Sequence, residues 1–347
     1  MANAPNLWAT EEDDDDTQQI GRLLGGWMAT QVVRTVALLG IPDQLAASPR
    51  TAAELAAATS TAPDSLARLL CAAAVYGLVT RDGAGRFALT GPGGRLRGDV
   101  PGSMRDQAVG FVAPPLWDSL GKLVDVVRGD PVNPSAPGGP WDYFQRNPGE
   151  AAWFARAMSG ATTELTEHLR AMAYGLPTDA GRVVDVGGSG GVLLAYLIST
   201  APAATGVLFD RAEAMAEAPG VLAVAGVAGQ VEITAGSFFE TVPPGDVHVL
   251  ANVLHDWDDD AAGVILRNCH RAGRPGGTLI VFTFLLTEAL EPPQPYLMDL
   301  LMMAIEGGRE RTLTELSALA GAAGYELIRD VPVARSSPYH AVEFRRC

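Results

Sequence analysis

The segment from Val183 to Gly191 constrains this chain most, because it joins a short apolar strand, a glycine cluster and the start of a helix. In such a unit the glycines let the backbone approach a ligand closely at the helix N-terminus. A tight strand-to-helix turn would also use glycine, so both interpretations stay open here. The dinucleotide fingerprint G-x-G-x-x-G does not fit, because Leu193 occupies the third glycine position when the pattern starts at Gly188.

Two carboxylates flank this loop at positions that favour one kind of ligand. Asp185 stands directly before the glycines, where it would repel a pyrophosphate but attract an ammonium group. Asp210 ends the next predicted strand, 25 residues after Asp185, and its carboxylate can accept hydrogen bonds from both hydroxyls of a ribose. S-adenosylmethionine carries both a free amino group and a ribose, so we predict it as the cofactor.

Short apolar segments alternate with helical patterns from residue 182 onward, which is typical of βαβ units and a parallel sheet. The predicted fold class is therefore α/β, with a doubly wound, Rossmann-like sheet of seven strands. The predicted strands cover residues 182–186, 205–209, 231–233, 247–250 and 278–284, the helices cover 193–199, 212–218, 259–271 and 313–323, and a closing hairpin covers 325–333 and 339–344 around Ser336-Ser337-Pro338.

The region before the glycine loop has a different pattern. Apolar residues at three- and four-residue spacing predict a helix over 20–39, and Thr51 with Glu54 forms a capping box that opens a second helix. A third helix and a hairpin around Asp82-Gly83 follow. Residues 51–90 are therefore predicted to form a winged helix.

Composition excludes several classes of function. The net charge of −15 opposes a phosphate-binding face, and segment 59–70, the recognition helix of a DNA-binding winged helix, offers only Arg68 as a basic residue. A DNA-binding regulator is therefore the least supported alternative. Three cysteines without paired spacing support neither disulfides nor zinc, and we predict no metal. With no run of 18 apolar residues and no signal-peptide pattern, we expect a cytoplasmic protein without a membrane partner.

The segment Ala251 to Trp257 places a histidine, His255, just after a predicted strand. Ligands of open α/β sheets bind at the carboxyl ends of the strands, so His255 is a candidate general base, although a buried or helix-capping histidine would also fit. The turn from Glu306 to Thr312 precedes a predicted helix, which its charges could simply cap. Alternatively, Glu310 could orient a histidine.

Taken together, these motifs resemble the class I S-adenosylmethionine-dependent O-methyltransferases, and more narrowly the caffeic-acid-type and bacterial polyketide-tailoring family. The resemblance covers nearly the whole chain. The residues that carry it are Asp185–Gly191, Phe209-Asp210, His255-Asp256-Trp257-Asp258-Asp259, Pro275-Gly276-Gly277 and Gly307-Gly308-Arg309-Glu310-Arg311-Thr312.

The resemblance implies a role for each matched position. His255 would be the base, and Glu310 would support and orient it. The N-terminal winged helix would mediate formation of a homodimer. Implied cofactor-binding residues are Asp185, Gly187, Ser189, Gly191, Asp210, Ser237, Phe238 and Thr162. Implied acceptor-binding residues are Phe154, Met158, Asp256, Asp299, Met302 and Met303, of which the apolar ones could equally be core.

These implications divide the chain into four parts. We expect an acidic mobile tail (1–19), a winged-helix dimerisation domain (20–100), a helical connection that contributes to the acceptor pocket (101–178) and the cofactor-binding catalytic domain (179–347). The predicted activity is methyl transfer to a hydroxyl, expected to be phenolic, of an aromatic or polyketide natural product. The alternative is an enzyme that keeps the cofactor but catalyses a non-methylating step, such as hydroxylation or a pericyclic rearrangement.

Four positions depart from the family pattern. Ser189 replaces a glycine, Ser237 an aspartate that meets the adenine amino group, and Ala251 a lysine. Thr283 stands where a second carboxylate would support the histidine. With Glu310 as its only carboxylate partner, His255 would be a weak base, and we expect an acidic acceptor hydroxyl. On that basis the substitution His255→Ala would cost no more than about 100-fold in rate.

Overall fold

The computed structural model describes residues 8–9, 12–334 and 337–347. The chain forms two compact units. The first comprises Met1–Leu116 and Asn147–Met158, and the second comprises Trp117–Arg146 and Ser159–Cys347. The predicted connection 101–178 is thus shared between the two units. Within the described ranges, no helix combines the length and apolar character needed to cross a membrane.

The first unit contains the winged helix. Its small sheet has the strand order β1-β3-β2, and Thr51 and Glu54 form the predicted capping box. Its helices are α1 (Asp15–Leu38), α2 (Ile41–Gln44), α3 (Ala52–Thr59), α4 (Pro63–Val75), α5 (Gly91–Gly94) and α6 (Arg105–Gly110), and its strands are β1 (Arg50–Thr51), β2 (Val79–Arg81) and β3 (Arg86–Leu89).

Helix α1 begins five residues before its predicted start at residue 20. Asp14 caps it by accepting a hydrogen bond from the Thr17 backbone N–H (2.9 Å), and Asp15 and Asp16 lie in the first turn. Carboxylates are favourable there because the helix N-terminus carries partial positive charge. The acidic run thus continues into the helix, while Glu11 lies outside the described residues.

The second unit carries the large sheet. Helices α7 (Pro114–Gly121), α8 (Leu123–Val127), α9 (Pro140–Arg146) and α10 (Pro148–Ala171) precede it, and both α7 and α10 contribute residues to each unit. Its strands are β4 (Arg182–Val186), β5 (Thr205–Asp210), β6 (Val231–Ala235), β7 (Gly245–Ala251), β8 (Gly273–Leu286), β9 (Arg311–Thr312), β10 (Tyr325–Pro332) and β11 (Tyr339–Arg346). The remaining helices are α11 (Val192–Thr200), α12 (Ala218–Val224), α13 (Asp259–Ala272), α14 (Gln294–Ile305) and α15 (Leu313–Ala322).

The sheet confirms the predicted doubly wound α/β fold. Its order is β10-β11-β8-β7-β4-β5-β6, and the short strand β9 pairs with the end of β8. Strands β8, β7, β4, β5 and β6 are parallel, whereas β11 and β10 form the predicted antiparallel hairpin. Separate apolar cores cover the two faces, one with α11 and the C-terminal half of α10 and the other with α13 and α15. The parallel strands therefore end together at one edge.

In the second unit, two helices differ from the prediction. Residues 212–217 form turns, and α12 begins only at Ala218, because Pro219 lacks an N–H and fits only the first turn of a helix. The predicted helix over 212–218 is therefore wrong. Helix α14 was not predicted, since its apolar residues surround the helix and give no clear periodicity. In the hairpin, Ser336 lies outside the described residues.

Candidate active site

The glycine loop lies at the carboxyl end of β4 and fits closely around its neighbours. A Cβ atom on Gly188 would lie 2.5 Å from Leu208 and 2.6 Å from the Asp185 carboxyl, so a larger residue would displace these two side chains. Gly187 and Gly191 both have a φ of +77°, and Ser189 has a φ of 47°. The loop thus keeps its backbone open at the N-terminus of α11 despite the serine.

Asp185 is a buried carboxylate without a full set of partners. Its residue is 1% exposed, and its Oδ2 atom has no hydrogen-bond partner. Burial and the nearby charge of Asp210 raise the pKa of Asp185 to about 7, although the Leu194 backbone N–H opposes this effect. An orphaned buried oxygen beside an open glycine loop fits a cationic group, as the amino group of S-adenosylmethionine would supply.

Asp210 closes the other side of the loop. Its Oδ2 atom accepts a hydrogen bond from the Ser189 backbone N–H (2.9 Å), and its Oδ1 atom accepts one from the Arg211 backbone N–H (2.7 Å). A carboxylate has about four acceptor positions, so two remain for a ligand. These positions suit a pair of neighbouring hydroxyls such as those of a ribose.

Ser237 and Phe238 follow β6 on the same side of the sheet. The Ser237 Oγ atom accepts a hydrogen bond from the Phe239 backbone N–H (3.3 Å). The Phe238 ring packs edge-on against Trp257, with ring centroids 6.1 Å apart, and a Cβ on Gly187 would lie 3.7 Å from that ring. Phe238 therefore forms a wall beside the glycine loop, and its contact with the cofactor stays a prediction.

His255 lies in a short 3-10 helix, Leu254–Asp256, that follows β7. It is 7% exposed, and its Nδ1 atom lies 2.7 Å from Glu310 Oε1. Its Nε2 atom lies 3.4 Å from Asp256 Oδ1. The imidazole is thus held between two carboxylates, and Glu310 Oε2 is itself buried without a hydrogen-bond partner.

The charges around His255 overturn one expectation. Burial lowers the pKa of an imidazole, but the carboxylates of Asp256, Glu310 and Glu306 outweigh burial and raise the pKa of His255 to about 9. Thr283 is buried and offers no carboxylate, as expected. The premise that Glu310 is the only carboxylate partner of His255 is nevertheless wrong, because Asp256 is a second one, and these charges favour a stronger base than that premise implied.

The turn after α14 packs closely against the 3-10 helix that contains His255. A Cβ on Gly308 would lie 2.1 Å from the His255 carbonyl oxygen, and the Arg309 backbone N–H donates to that oxygen (2.9 Å). The buried Arg311 guanidinium donates to the carbonyls of Leu254 (2.8 Å) and Trp257 (2.9 Å), on either side of His255. Sequence reasoning missed this role of Arg311, although the residue is part of the same motif.

The predicted acceptor-binding residues have different locations. Asp299 Oδ1 accepts a hydrogen bond from the Glu310 backbone N–H (2.8 Å). Asp299 therefore fixes the backbone position of Glu310, the hydrogen-bond partner of His255. Met302 and Met303 lie half-buried on the same helix, α14. Phe154 and Met158 belong to the first unit, where Phe154 packs edge-on against Phe111. Their role toward an acceptor therefore stays a prediction. The predicted cofactor contact of Thr162, which lies on α10 in the second unit, also stays a prediction.

The described residues contain no cluster of three or more His, Cys, Asp or Glu side chains arranged to hold a metal ion. A sheet with this strand order, in which only β11 runs antiparallel to the other strands of the order, is the fold of class I methyltransferases. Residues 117–326 match the family model of the O-methyltransferase domain, and residues 22–95 match that of the O-methyltransferase dimerisation domain.

Individual proteins agree with the family models. The chain is 34% identical to the O-demethylpuromycin-O-methyltransferase of Streptomyces alboniger, over 94% of this chain and 88% of that protein. It is 32% identical to the aclacinomycin 10-hydroxylase RdmB of Streptomyces purpurascens, over 91% of this chain and 86% of that protein. The solved structure of the O-methyltransferase NcsB1 from neocarzinostatin biosynthesis, in complex with S-adenosylmethionine and a hydroxy-methyl naphthoic acid, aligns with a TM-score of 0.78 and 32% identity, over 92% of this chain and 96% of that one.

This chain therefore belongs to the S-adenosylmethionine-dependent O-methyltransferases. The predicted family, activity and cofactor are confirmed, and the comparisons favour methyl transfer over the non-methylating alternative.

Proposed function

We propose that this enzyme methylates a phenolic hydroxyl on an aromatic natural product and that His255 is its general base. The observation that carries this proposal is the pairing of His255 Nδ1 with the buried Glu310 (2.7 Å). Glu310 fixes the proton on Nδ1, which leaves Nε2 as the atom that receives the acceptor proton. Asp256 Oδ1 lies 3.4 Å from Nε2, on the side of the imidazole from which the acceptor hydroxyl would approach.

The cofactor site in this proposal consists of the glycine loop and its two carboxylates. Asp185 receives the amino group of S-adenosylmethionine, Asp210 the ribose hydroxyls, and Phe238 forms a side wall. When bound, S-adenosylmethionine supplies the methyl group to be transferred. The protein holds the acceptor oxygen in line with that group, and this positioning contributes much of the rate enhancement.

Product mass distinguishes this proposal from its alternative. The protein is incubated with S-adenosylmethionine carrying a labelled methyl group and a panel of polycyclic phenols, and products are identified by mass spectrometry. A product that gains one labelled methyl group supports the proposal. Consumption of the phenol without methyl gain would instead support a non-methylating reaction, as the name of the relative RdmB describes for that protein.

The Asp185 carboxylate, whose Oδ2 atom has no hydrogen-bond partner, should make cofactor binding depend on pH. Because the pKa of Asp185 is about 7 and an ammonium group favours its ionised form, binding releases a proton below pH 7. We expect the affinity for S-adenosylhomocysteine to rise about tenfold from pH 5.5 to 7, below the range in which the ligand's own amino group titrates. Titration calorimetry in two buffers of different ionisation enthalpy measures both the affinity and the released proton.

The matched control is Asp185→Asn, which keeps the shape of the side chain and removes its titration. We expect weaker binding by this variant and no change of affinity between pH 5.5 and 7. An unchanged pH dependence in the variant would show that another group is responsible and would remove Asp185 from the amino-group site.

We further propose that the chain forms a homodimer through its first unit. Four residues at helical spacing on α1, Ile20, Leu23, Leu24 and Trp27, are 52–62% exposed and form an apolar stripe that is open to a partner. The match to the O-methyltransferase dimerisation domain covers most of this helix. The expected absence of nucleic-acid and membrane partners and the cytoplasmic location remain predictions.

Sedimentation equilibrium at micromolar concentration should give a mass near twice 36.3 kDa. The double substitution Leu23→Asp and Trp27→Asp should shift most of the protein to monomer, because it places charges in a buried apolar seam. The control Val224→Asp changes a residue of the second unit that is 92% exposed and should leave the dimer intact. A wild-type monomer at these concentrations would contradict the proposal.

A further inference from the structure

We propose that Glu306 is a positioning residue for His255. The carboxylate of Glu306 stabilises the protonated imidazole, a role that Thr283 on the neighbouring strand cannot fill because it has no carboxylate. This inference rests on the proposed role of His255 as the base. It assigns a function to the first residue of the turn Glu306 to Thr312, which the family motif does not include.

The turn that follows α14 places Glu306 close to the 3-10 helix that contains His255. Glu306 is the C-cap of α14, the helix that packs against the 3-10 helix containing His255. Gly308, two residues later, is in direct contact with the backbone of His255 and Asp256. The Trp141 indole Nε1–H donates a hydrogen bond to Glu306 Oε2 (3.3 Å), which holds the carboxylate in place.

The electrostatics of the site agree with this placement. The charges that act on His255 come from Asp256, Glu310 and Glu306, and all three favour the imidazolium. Burial and the charge of Asp256 raise the pKa of Glu306 to about 7, while Trp141, His255 and Arg211 oppose that effect. Above pH 7 Glu306 is therefore mostly ionised, and it adds its negative charge to the surroundings of His255 in the range where the base must work.

Removal of this charge should lower the pKa of His255. In full-length protein labelled at histidine Cε1, NMR titration of Glu306→Gln should show the pKa of His255 lowered by roughly half a unit to one unit from wild type. The His255 signal is identified by its absence in His255→Ala. The control Glu326→Gln removes an exposed carboxylate on β10, the outermost strand beyond β11, and should leave the pKa of His255 unchanged.

A second variant keeps the negative charge but moves it. Glu306→Asp shortens the side chain by one methylene and withdraws the carboxylate from its hydrogen bond with Trp141, so the pKa of His255 should fall in the same direction by a smaller amount. If Glu306→Gln does not fold, Glu306→Asp provides the decisive titration. A pKa of His255 equal to that of wild type in every folded variant overturns the proposal.

Steady-state kinetics distinguish an electrostatic role of Glu306 from a merely structural one. For Glu306→Gln, the pH midpoint of kcat/KM should shift downward with the pKa of His255, while the KM for S-adenosylmethionine stays unchanged. On a phenol of ordinary acidity, kcat at pH values where His255 is already neutral should fall about 3-fold, since a weaker base accepts the proton less readily. A wild-type enzyme that methylates no phenol would refute the proposed function, whereas the NMR titration would still decide the role of Glu306.

Discussion

Substitution of Asp210 by alanine is expected to weaken binding of S-adenosylmethionine by about 100-fold or more. The carboxylate already accepts backbone hydrogen bonds from Ser189 (2.9 Å) and Arg211 (2.7 Å), and its two remaining acceptor positions are available for the ribose hydroxyls. Hydrogen bonds to charged groups contribute about 1.5–3 kcal/mol each, so loss of two corresponds to at least about 3 kcal/mol. The alanine also leaves two loop N–H groups without their acceptor, which loosens the glycine loop.

Titration calorimetry of wild type, Asp210→Ala and Asp210→Asn measures this effect. Asparagine keeps one acceptor oxygen in place and removes the charge, so its affinity should lie between those of the other two proteins. Thermal unfolding without ligand shows whether the variants remain folded. Equal affinity of wild type and a folded Asp210→Ala would remove Asp210 from the ribose site.

The sequence was informative wherever local patterns decide the structure. Strand β4 has the bounds predicted for it, because a run of apolar residues bounded by glycines allows little else. Thr51 and Glu54 form the predicted capping box because its hydrogen bonds involve residues only three apart. Helix α12 was misplaced because apolar composition was given more weight than Pro219, whose missing N–H determines where that helix can begin.

The candidate site was predictable in its parts but not in its electrostatics. The pairing of His255 with Glu310 followed from the family resemblance, and the structure places the two atoms 2.7 Å apart. The contributions of Asp256 and Glu306 to the charge of His255 depend on how the turn after α14 folds back over the 3-10 helix. That contact joins segments about 50 residues apart in sequence, and no local pattern reports it.

The same electrostatics set a larger expected effect for His255→Ala than the sequence suggested. A phenol of pKa about 10 and an imidazole of pKa about 6.5 would make proton transfer uphill by about 5 kcal/mol. With the pKa of His255 at about 9, the difference falls to roughly one unit, or about 1.4 kcal/mol. In its proposed role as the base, His255 would then accept a proton from an ordinary phenol, and its removal should lower kcat by about 10³- to 10⁴-fold, the upper end for general acid–base catalysis.

The pH dependence identifies the cause of that loss. Because the pKa of His255 is raised, the imidazole is mostly protonated at pH 7, and the neutral base increases as the pH rises through about 9. We expect wild-type kcat/KM to rise up to about pH 9. In His255→Ala that rise should disappear, and the remaining activity should follow the ionisation of the phenol itself near pH 10. Steady-state rates from pH 6 to 10.5 measure both profiles.

An acceptor of greater acidity provides the control. A phenol that is already ionised at pH 8 needs no base, so His255→Ala should cost far less on such an acceptor than on an ordinary phenol. Cofactor affinity should be the same in both proteins, since His255 is not among the residues assigned to that site. A loss below about 10-fold on the ordinary phenol at pH 8 would contradict the assignment of His255 as the base, because the structure holds this imidazole between the carboxylates of Glu310 and Asp256, which strengthen it as a proton acceptor.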